Sequence, residues 1–300
     1  MLAPCYDQLV QRGALVLTAS AALAAVCWLG WAIAGNTAAP APVVHPVTAA
    51  VAAGKHVRIE GRHGVVQVWV PASYHADTGA TIIYLHGYYD DADSSYIGHR
   101  LPEQFAMSAL NAIFIVPETP SAQKTPINYP DLGELLSLVE DKTGVSRGMA
   151  LTAVVGHSGA FRTIDEWLDE PLVDTLVSID SMYGNEEQIA AWYKASPRHR
   201  LITVGEDTLQ YTEQLSRMLP DMLVIDRIPP TYDTWPPEAK LARAVYVRAQ
   251  FMHMPLVTDG IVLPSLLRLL PVELLGDEPW AQPLGGLPQM PDAAVDAPAD

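Results

Sequence analysis

The run Gly156-His157-Ser158-Gly159-Ala160 sets a serine among small residues, between two segments of different period. Ahead of it, Ala150-Leu151-Thr152-Ala153-Val154-Val155 is a short apolar stretch of the length that makes a buried strand. Behind it, Phe161, Ile164, Trp167 and Leu168 recur at helical spacing. Strand, sharp turn and helix put the hydroxyl at an exposed apex, and small neighbours let the strand and helix close around it. A serine hydroxyl becomes an effective nucleophile only when it is exposed, oriented and next to a base. The chemistry expected at Ser158 is attack on an acyl carbonyl.

Such attack needs a base, an acid to orient the base, and donors for an oxyanion. Of nine histidines only His199 and His253 lie well past Ser158, where a Ser, acid, His order puts the base. His199, in Pro197-Arg198-His199-Arg200, enters the strand Leu201-Ile202-Thr203-Val204 at its starting edge, whereas sites in parallel sheets form at the carboxyl ends. His253 follows the apolar run from Ala244 to Met252 and precedes a helical segment, Ile261 to Leu270; it is the candidate base. Two acids stay open. Asp180 closes the apolar strand Leu176-Val177-Ser178-Ile179 and precedes a turn with no helix to cap, so its charge needs another partner. Asp207 follows the strand ending at Gly205, but Asp207-Thr208-Leu209-Gln210 also reads as a helix N-cap. Asp180 is preferred by a narrow margin. The strand Ala80–Leu85 ends in His86-Gly87-Tyr88, whose backbone can approach a ligand closely. The N–H groups of Tyr88, or less favourably Gly87, and of Gly159 are the expected oxyanion donors, with His86 holding the turn.

With these residues in this order, the chain resembles the α/β-hydrolase superfamily from about His56 to Pro271. The resemblance implies a serine esterase that works without cofactor or metal, through an acyl-enzyme, on a small-molecule or polymer ester. In most members the acid follows the seventh strand, which would be Asp207. In a minority, some lipases among them, it follows the sixth, which would be Asp180. The oxyanion segment is similar to the His-Gly-aromatic form of diverse esterases rather than the His-Gly-Gly-Gly form of many lipases. Ala160 stands where the elbow usually ends in glycine. Amide cleavage by the same apparatus, or a non-catalytic binding domain of this fold, are the alternatives.

The surrounding pattern is that of an α/β protein with a mostly parallel central sheet and helices on both faces. Val57-Arg58-Ile59-Glu60 and Val65–Val70 alternate across Gly61–Gly64, which predicts an N-terminal antiparallel hairpin. Asn111–Val116 is a further buried strand, and Leu132, Leu135, Leu136 and Val139 mark a helix with a capping box at Asp131 and Glu134. No Gly-x-Gly-x-x-Gly turn follows the first strand, which argues against a dinucleotide site. The net charge of −16, with no basic cluster, argues against nucleic acid. Cys5 and Cys27 are the only cysteines, so the body holds no disulfide or thiolate metal site.

Residues 13–35 carry no charge and are rich in Ala, Leu, Val and Trp. They predict that residues 1–35 are a signal peptide or an N-terminal membrane anchor, and hence a periplasmic, extracellular or membrane-anchored protein. Residues 36–54 read as an Ala/Pro-rich linker, 55–275 as the hydrolase domain, and 276–300 as a disordered acidic tail. Tyr88–Tyr96 is expected to rim the site, with calcium at Asp91, Asp93 and Ser95 a weaker reading. Trp192 and Tyr193 are candidates to cover the pocket.

Overall fold

The computed structural model describes residues 46–275 other than Asp233. The expected signal or anchor, most of the linker and the tail lie outside the described residues. In chain order the elements are α1 (Pro46–Ala53), β1 (Lys55–Gly61), β2 (Gly64–Val70), β3 (Ala80–Leu85), α2 (Ala92–Gly98), α3 (Leu101–Ser108), β4 (Ala112–Pro117) and α4 (Leu132–Thr143). There follow β5 (Thr152–His157), a 3-10 turn (Ser158–Ala160), α5 (Phe161–Trp167), β6 (Thr175–Ile179), α6 (Glu186–Ala195), β7 (Arg200–Gly205) and α7 (Leu209–Met218). The chain closes with β8 (Leu223–Ile225), α8 (Pro237–Leu241), β9 (Ala244–Arg248), α9 (Pro255–Thr258) and α10 (Val262–Leu267).

The nine strands form one sheet in the order β1-β2-β4-β3-β5-β6-β7-β9-β8. The hairpin β1–β2 and the β2–β4 pair are antiparallel, and every later pair is parallel. Strands β3 to β7 are buried along their whole length, which is why they read as apolar runs rather than alternating ones. Successive residues still point to opposite faces. Ile82, Tyr84, Phe114, Val155 and Val177 pack in one core, Ile83, Leu85, Ile115, Val154 and Leu176 in the other. All parallel strands therefore finish at one edge, where the loops carrying residues 86–91, 158, 180–185, 206–208 and 249–254 meet.

Three boundaries depart from the sequence reading. The last residues of the expected linker are not extended: Pro46–Ala53 is helical, because Val47, with Ala50 and Val51, can bury against the apolar surface that includes Trp69 and Phe105. The N-cap of α7 is Thr208, not Asp207. The last helix spans only Val262–Leu267 of the expected Ile261–Leu270. Asp131 does cap α4, accepting the Glu134 N–H at 2.9 Å. Among the described residues, no helix is long and apolar enough to cross a membrane.

Candidate active site

Ser158 is the first residue past β5 and has φ +53°, the left-handed region that a non-glycine residue enters at a cost of roughly 1–3 kcal/mol. Two bonds to its carbonyl hold it there: the Phe161 N–H, which closes the 3-10 turn, and the Ser181 hydroxyl at 2.8 Å. The helix that follows returns tightly onto β5. A Cβ on Gly156 would lie 2.5 Å from Ile164 Cδ1 and 3.1 Å from Ala160 Cβ, so glycine lets the helix approach without displacing the Ile164 side chain. Asp180 is the matching residue of the next strand. His157 pairs with Ile179, so Ser158 and Asp180 each stand one residue beyond the same rung, and Asp180 too has a positive φ, +48°.

Asp180 is fully buried and its carboxylate accepts five hydrogen bonds. Its Oδ1 accepts the backbone N–H of Glu206 (2.8 Å) and of Thr208 (2.8 Å) and the Thr208 hydroxyl (2.7 Å). Its Oδ2 accepts the Asp207 N–H (3.0 Å) and His253 Nδ1–H at 2.5 Å. Burial alone would raise this carboxyl. The bonds from His253, the Glu206 amide and Thr208 outweigh it and hold the group well below the ordinary carboxylate range. His253 lies in the segment between β9 and α9, its side chain mostly but not wholly buried. Its pKa is raised, first by the hydrogen bond to Asp180, against the downward pull of burial. Asp207 Oδ2 is 3.6 Å from the same Nδ1 on a side chain 60% exposed. Of the two aspartates kept open in the sequence, then, Asp180 meets the imidazole, and Asp207 contributes its backbone amide to the cradle around it.

Other histidines are arranged behind the site. His86 is fully buried; its Nδ1–H donates to the Gly87 carbonyl at 2.9 Å and its Nε2 accepts the Thr119 N–H at 3.0 Å, which ties the turn after β3 to the end of β4. His157 is buried and pushed down to about 3, by burial first and then by His253 and His99, so it is neutral. Its ring centroid lies 4.6 Å from that of His253, and its Nε2 donates to the His253 carbonyl at 3.3 Å. His199 is far from this edge, stacked on Trp192. Sequence reasoning gave no role to Tyr183, whose phenol lies beside the Ser158 hydroxyl, nor to Thr208 beyond a helix start. A Thr at the first turn after a strand is too common a signal to separate a cap from a ligand of a distant carboxylate.

These groups open on one pocket of about 830 Å³, bordered by Ser158, His253 and the Gly87–Tyr88 turn. Gly87 is pressed against Ser158, where an added Cβ would sit 2.9 Å from the serine Cβ. Five aromatic side chains, Tyr88, Tyr89, Phe161, Tyr183 and Tyr211, line it, and among the described residues the lining holds no lysine or arginine. Trp192 and Tyr193 do not cover it. They lie on the face of α6 that carries Ile189 and Ala190 into the core and are buried there. The acids of the rim loop are also occupied. Asp91 caps α2, Asp93 pairs with Arg58 and Gln67, and Asp90 meets Ser95 and His99. Among the described residues, Asp180, Asp207 and His253 are the set that converges closely enough to hold a metal ion. Asp180 already accepts five bonds there, an arrangement that suits a protonated Nδ1 rather than a cation.

No family model and no curated protein matches the chain. Solved structures do. A feruloyl esterase module from Clostridium thermocellum aligns over 78% of this chain and 92% of its own, with 16% identity and a TM-score of 0.51. A thermostable carboxylesterase cloned from a metagenomic library aligns over 75% of this chain and 93% of its own (15% identity, TM-score 0.45). An esterase from Pyrococcus furiosus aligns over 72% and 88% (11% identity, TM-score 0.44). The sheet order, the serine at the β5 turn and the first of these likenesses agree: the chain has the α/β-hydrolase fold.

Proposed function

We propose that this protein is a serine hydrolase that cleaves carboxylic esters through an acyl-enzyme. The observation that carries the reading is the 2.5 Å bond between buried Asp180 and His253 Nδ1, in a pocket whose wall includes a serine held at positive φ. With Nδ1 protonated toward Asp180, Nε2 is the basic nitrogen. It takes the proton of the Ser158 hydroxyl as Oγ attacks the acyl carbon, and Asp180 stabilises the imidazolium that forms. The carbonyl oxygen becomes an oxyanion facing the amides of Tyr88 and Gly159. The Gly159 N–H belongs to the first turn of the 3-10 segment and so has no partner within it. Collapse of the intermediate expels the alcohol, which receives the proton from Nε2. Water then enters, gives its proton to His253, and releases the acid and the serine. The Ser158 hydroxyl lies beside the Tyr183 phenol, and bound substrate would set it against Nε2.

The test is labelling of the purified full chain by a fluorophosphonate, beside Ser158→Ala and His253→Ala. Labelling of the parent that is lost in Ser158→Ala and strongly slowed in His253→Ala is the expected result. A folded parent that takes no label would overturn the reading in favour of a binding domain. The uncharged segment 13–35 further supports export, with the hydrolase body outside the cytoplasm, anchored or released. Fractionation of cells expressing the full chain checks this, and a product confined to the cytoplasm would refute it.

A further inference from the structure

We propose that the acyl group accepted by this site is a planar aromatic one, an inference that rests on the ester-hydrolase reading above. The tetrahedral carbon has four substituents, and three are assigned by the chemistry: Ser158 Oγ, the oxyanion toward the Tyr88 and Gly159 amides, and the alcohol oxygen toward His253 Nε2. The fourth, the acyl chain, is left to the side chains that flank the oxyanion amides, and these are aromatic. The Tyr88 ring lies directly on Gly159, in the space a Cβ there would need. Phe161 meets Tyr88 edge-to-face at 6.2 Å and Tyr183 in a tilted contact at 5.4 Å, so the three rings form a continuous wall beside the nucleophile.

Two further features lack an explanation from folding alone. The Tyr88 hydroxyl is screened from solvent and has no hydrogen-bond partner among the described residues, a cost that folding leaves unmet beside the nucleophile. Tyr89 is 95% exposed at the pocket rim, at φ +67°, its N–H held by the Ser121 carbonyl at 2.9 Å. An aromatic side chain kept out of the core and in a strained conformation gains nothing for stability, but it can close over a flat ligand. Edges and faces offered by several rings favour an aromatic guest over a saturated one of the same size.

The measurement is kcat/KM of the full chain for methyl phenylacetate and methyl cyclohexylacetate. The phenyl ring activates its carbonyl even through the methylene, so each kcat/KM is divided by that ester's own hydroxide-catalysed rate constant, and this corrected ratio reports the ring. A preference of about tenfold for phenylacetate is expected from one or two aromatic contacts. The ratio should fall severalfold in Phe161→Leu, which keeps an apolar side chain without the ring. Tyr89→Leu, at a position too exposed to affect folding, should lower it as well. A parent ratio below about threefold, with Ser158 still labelled by fluorophosphonate, overturns the aromatic-acyl proposal and leaves the hydrolase standing. A ratio unchanged in both variants overturns the assignment of the wall. Absence of labelling and of all turnover refutes the underlying reading instead.

Discussion

Replacing Asp180 by asparagine, beside the same change at Asp207, separates two carboxylates that both lie near one imidazole nitrogen. The Asp207 oxygen is 3.6 Å away on an exposed side chain. At that distance in water-like surroundings a charge pair is worth about 1 kcal/mol, so Asp207→Asn should cost no more than about fivefold in kcat/KM. Asp180 is fully buried, 2.5 Å from Nδ1, and sets which ring nitrogen carries the proton. An amide there either leaves the wrong tautomer or turns its NH2 toward backbone amides that now lack an acceptor. Loss of roughly 10³- to 10⁴-fold in kcat is expected from the tautomer alone. Stability should fall by about 2–4 kcal/mol, because one or two of the donors around Oδ1 and Oδ2 lose their partner. The assay is initial-rate hydrolysis of a methyl ester across pH, at a temperature below both melting transitions measured by circular dichroism. The pH profile adds a second sign. The hydrogen bond to Asp180 is the main cause raising the His253 pKa, so the acid limb of kcat/KM should lie above pH ~6.5 in the parent and move to lower pH in Asp180→Asn. Generic loosening of the fold would lower the rate without moving that limb. If Asp207→Asn loses a thousandfold while Asp180→Asn stays within tenfold, the reasoning is wrong.

Thr208→Val removes one donor to Asp180 and leaves the backbone amides; a stability loss of about 1 kcal/mol, read by thermal melts, and a less than tenfold fall in kcat are expected. Gly159→Ala drives a methyl into the Tyr88 ring and must displace that ring beside the oxyanion amides, so kcat/KM should fall by roughly a hundredfold or more in the ester assay. His253, with its folded pKa raised, adds stability that is complete below pH ~6.5 and is lost as pH rises through the folded value. The melting-temperature gap between parent and His253→Ala should therefore narrow between pH 6 and pH 9.

The elements that were legible from the sequence were those whose signal is local. Ser158 could be read because small residues, a buried strand and a helix adjoin it within twenty residues. The hairpin, with its Gly61–Gly64 turn, and the Asp131 cap are local in the same way. The acid was not decidable, because Asp180 and Asp207 end adjacent strands, and which one meets His253 depends on where a loop 73 residues downstream of Asp180 arrives. Nor could the strand order be read. The edge strand β8, partly exposed and three residues long, precedes β9 in the chain yet pairs outside it, so β9 and not β8 runs beside β7 and delivers His253 to the Asp180 side. The linker reading failed at Pro46–Ala53 because alanine and proline mark both extended spacers and helix starts; what decides is the apolar surface waiting for Val47, which lies far along the chain.

The shared rung beneath Ser158 and Asp180 divides the site mechanically. Each residue stands one step past that rung, whose strands lie about 4.8 Å apart, a spacing that only rupture of the sheet can change. His253 instead comes from a segment outside the sheet, resting on Asp180 through its ring and on His157 through its carbonyl, and we expect it to be the arm that moves first. Warming should therefore silence the protein in two stages: a reversible loss of turnover as the arm swings out, with the sheet and its ellipticity intact, and only later the collapse of the frame. A stabilising change in the sheet would raise the second transition and leave the first untouched. One that pins residues 249–254 would do the reverse.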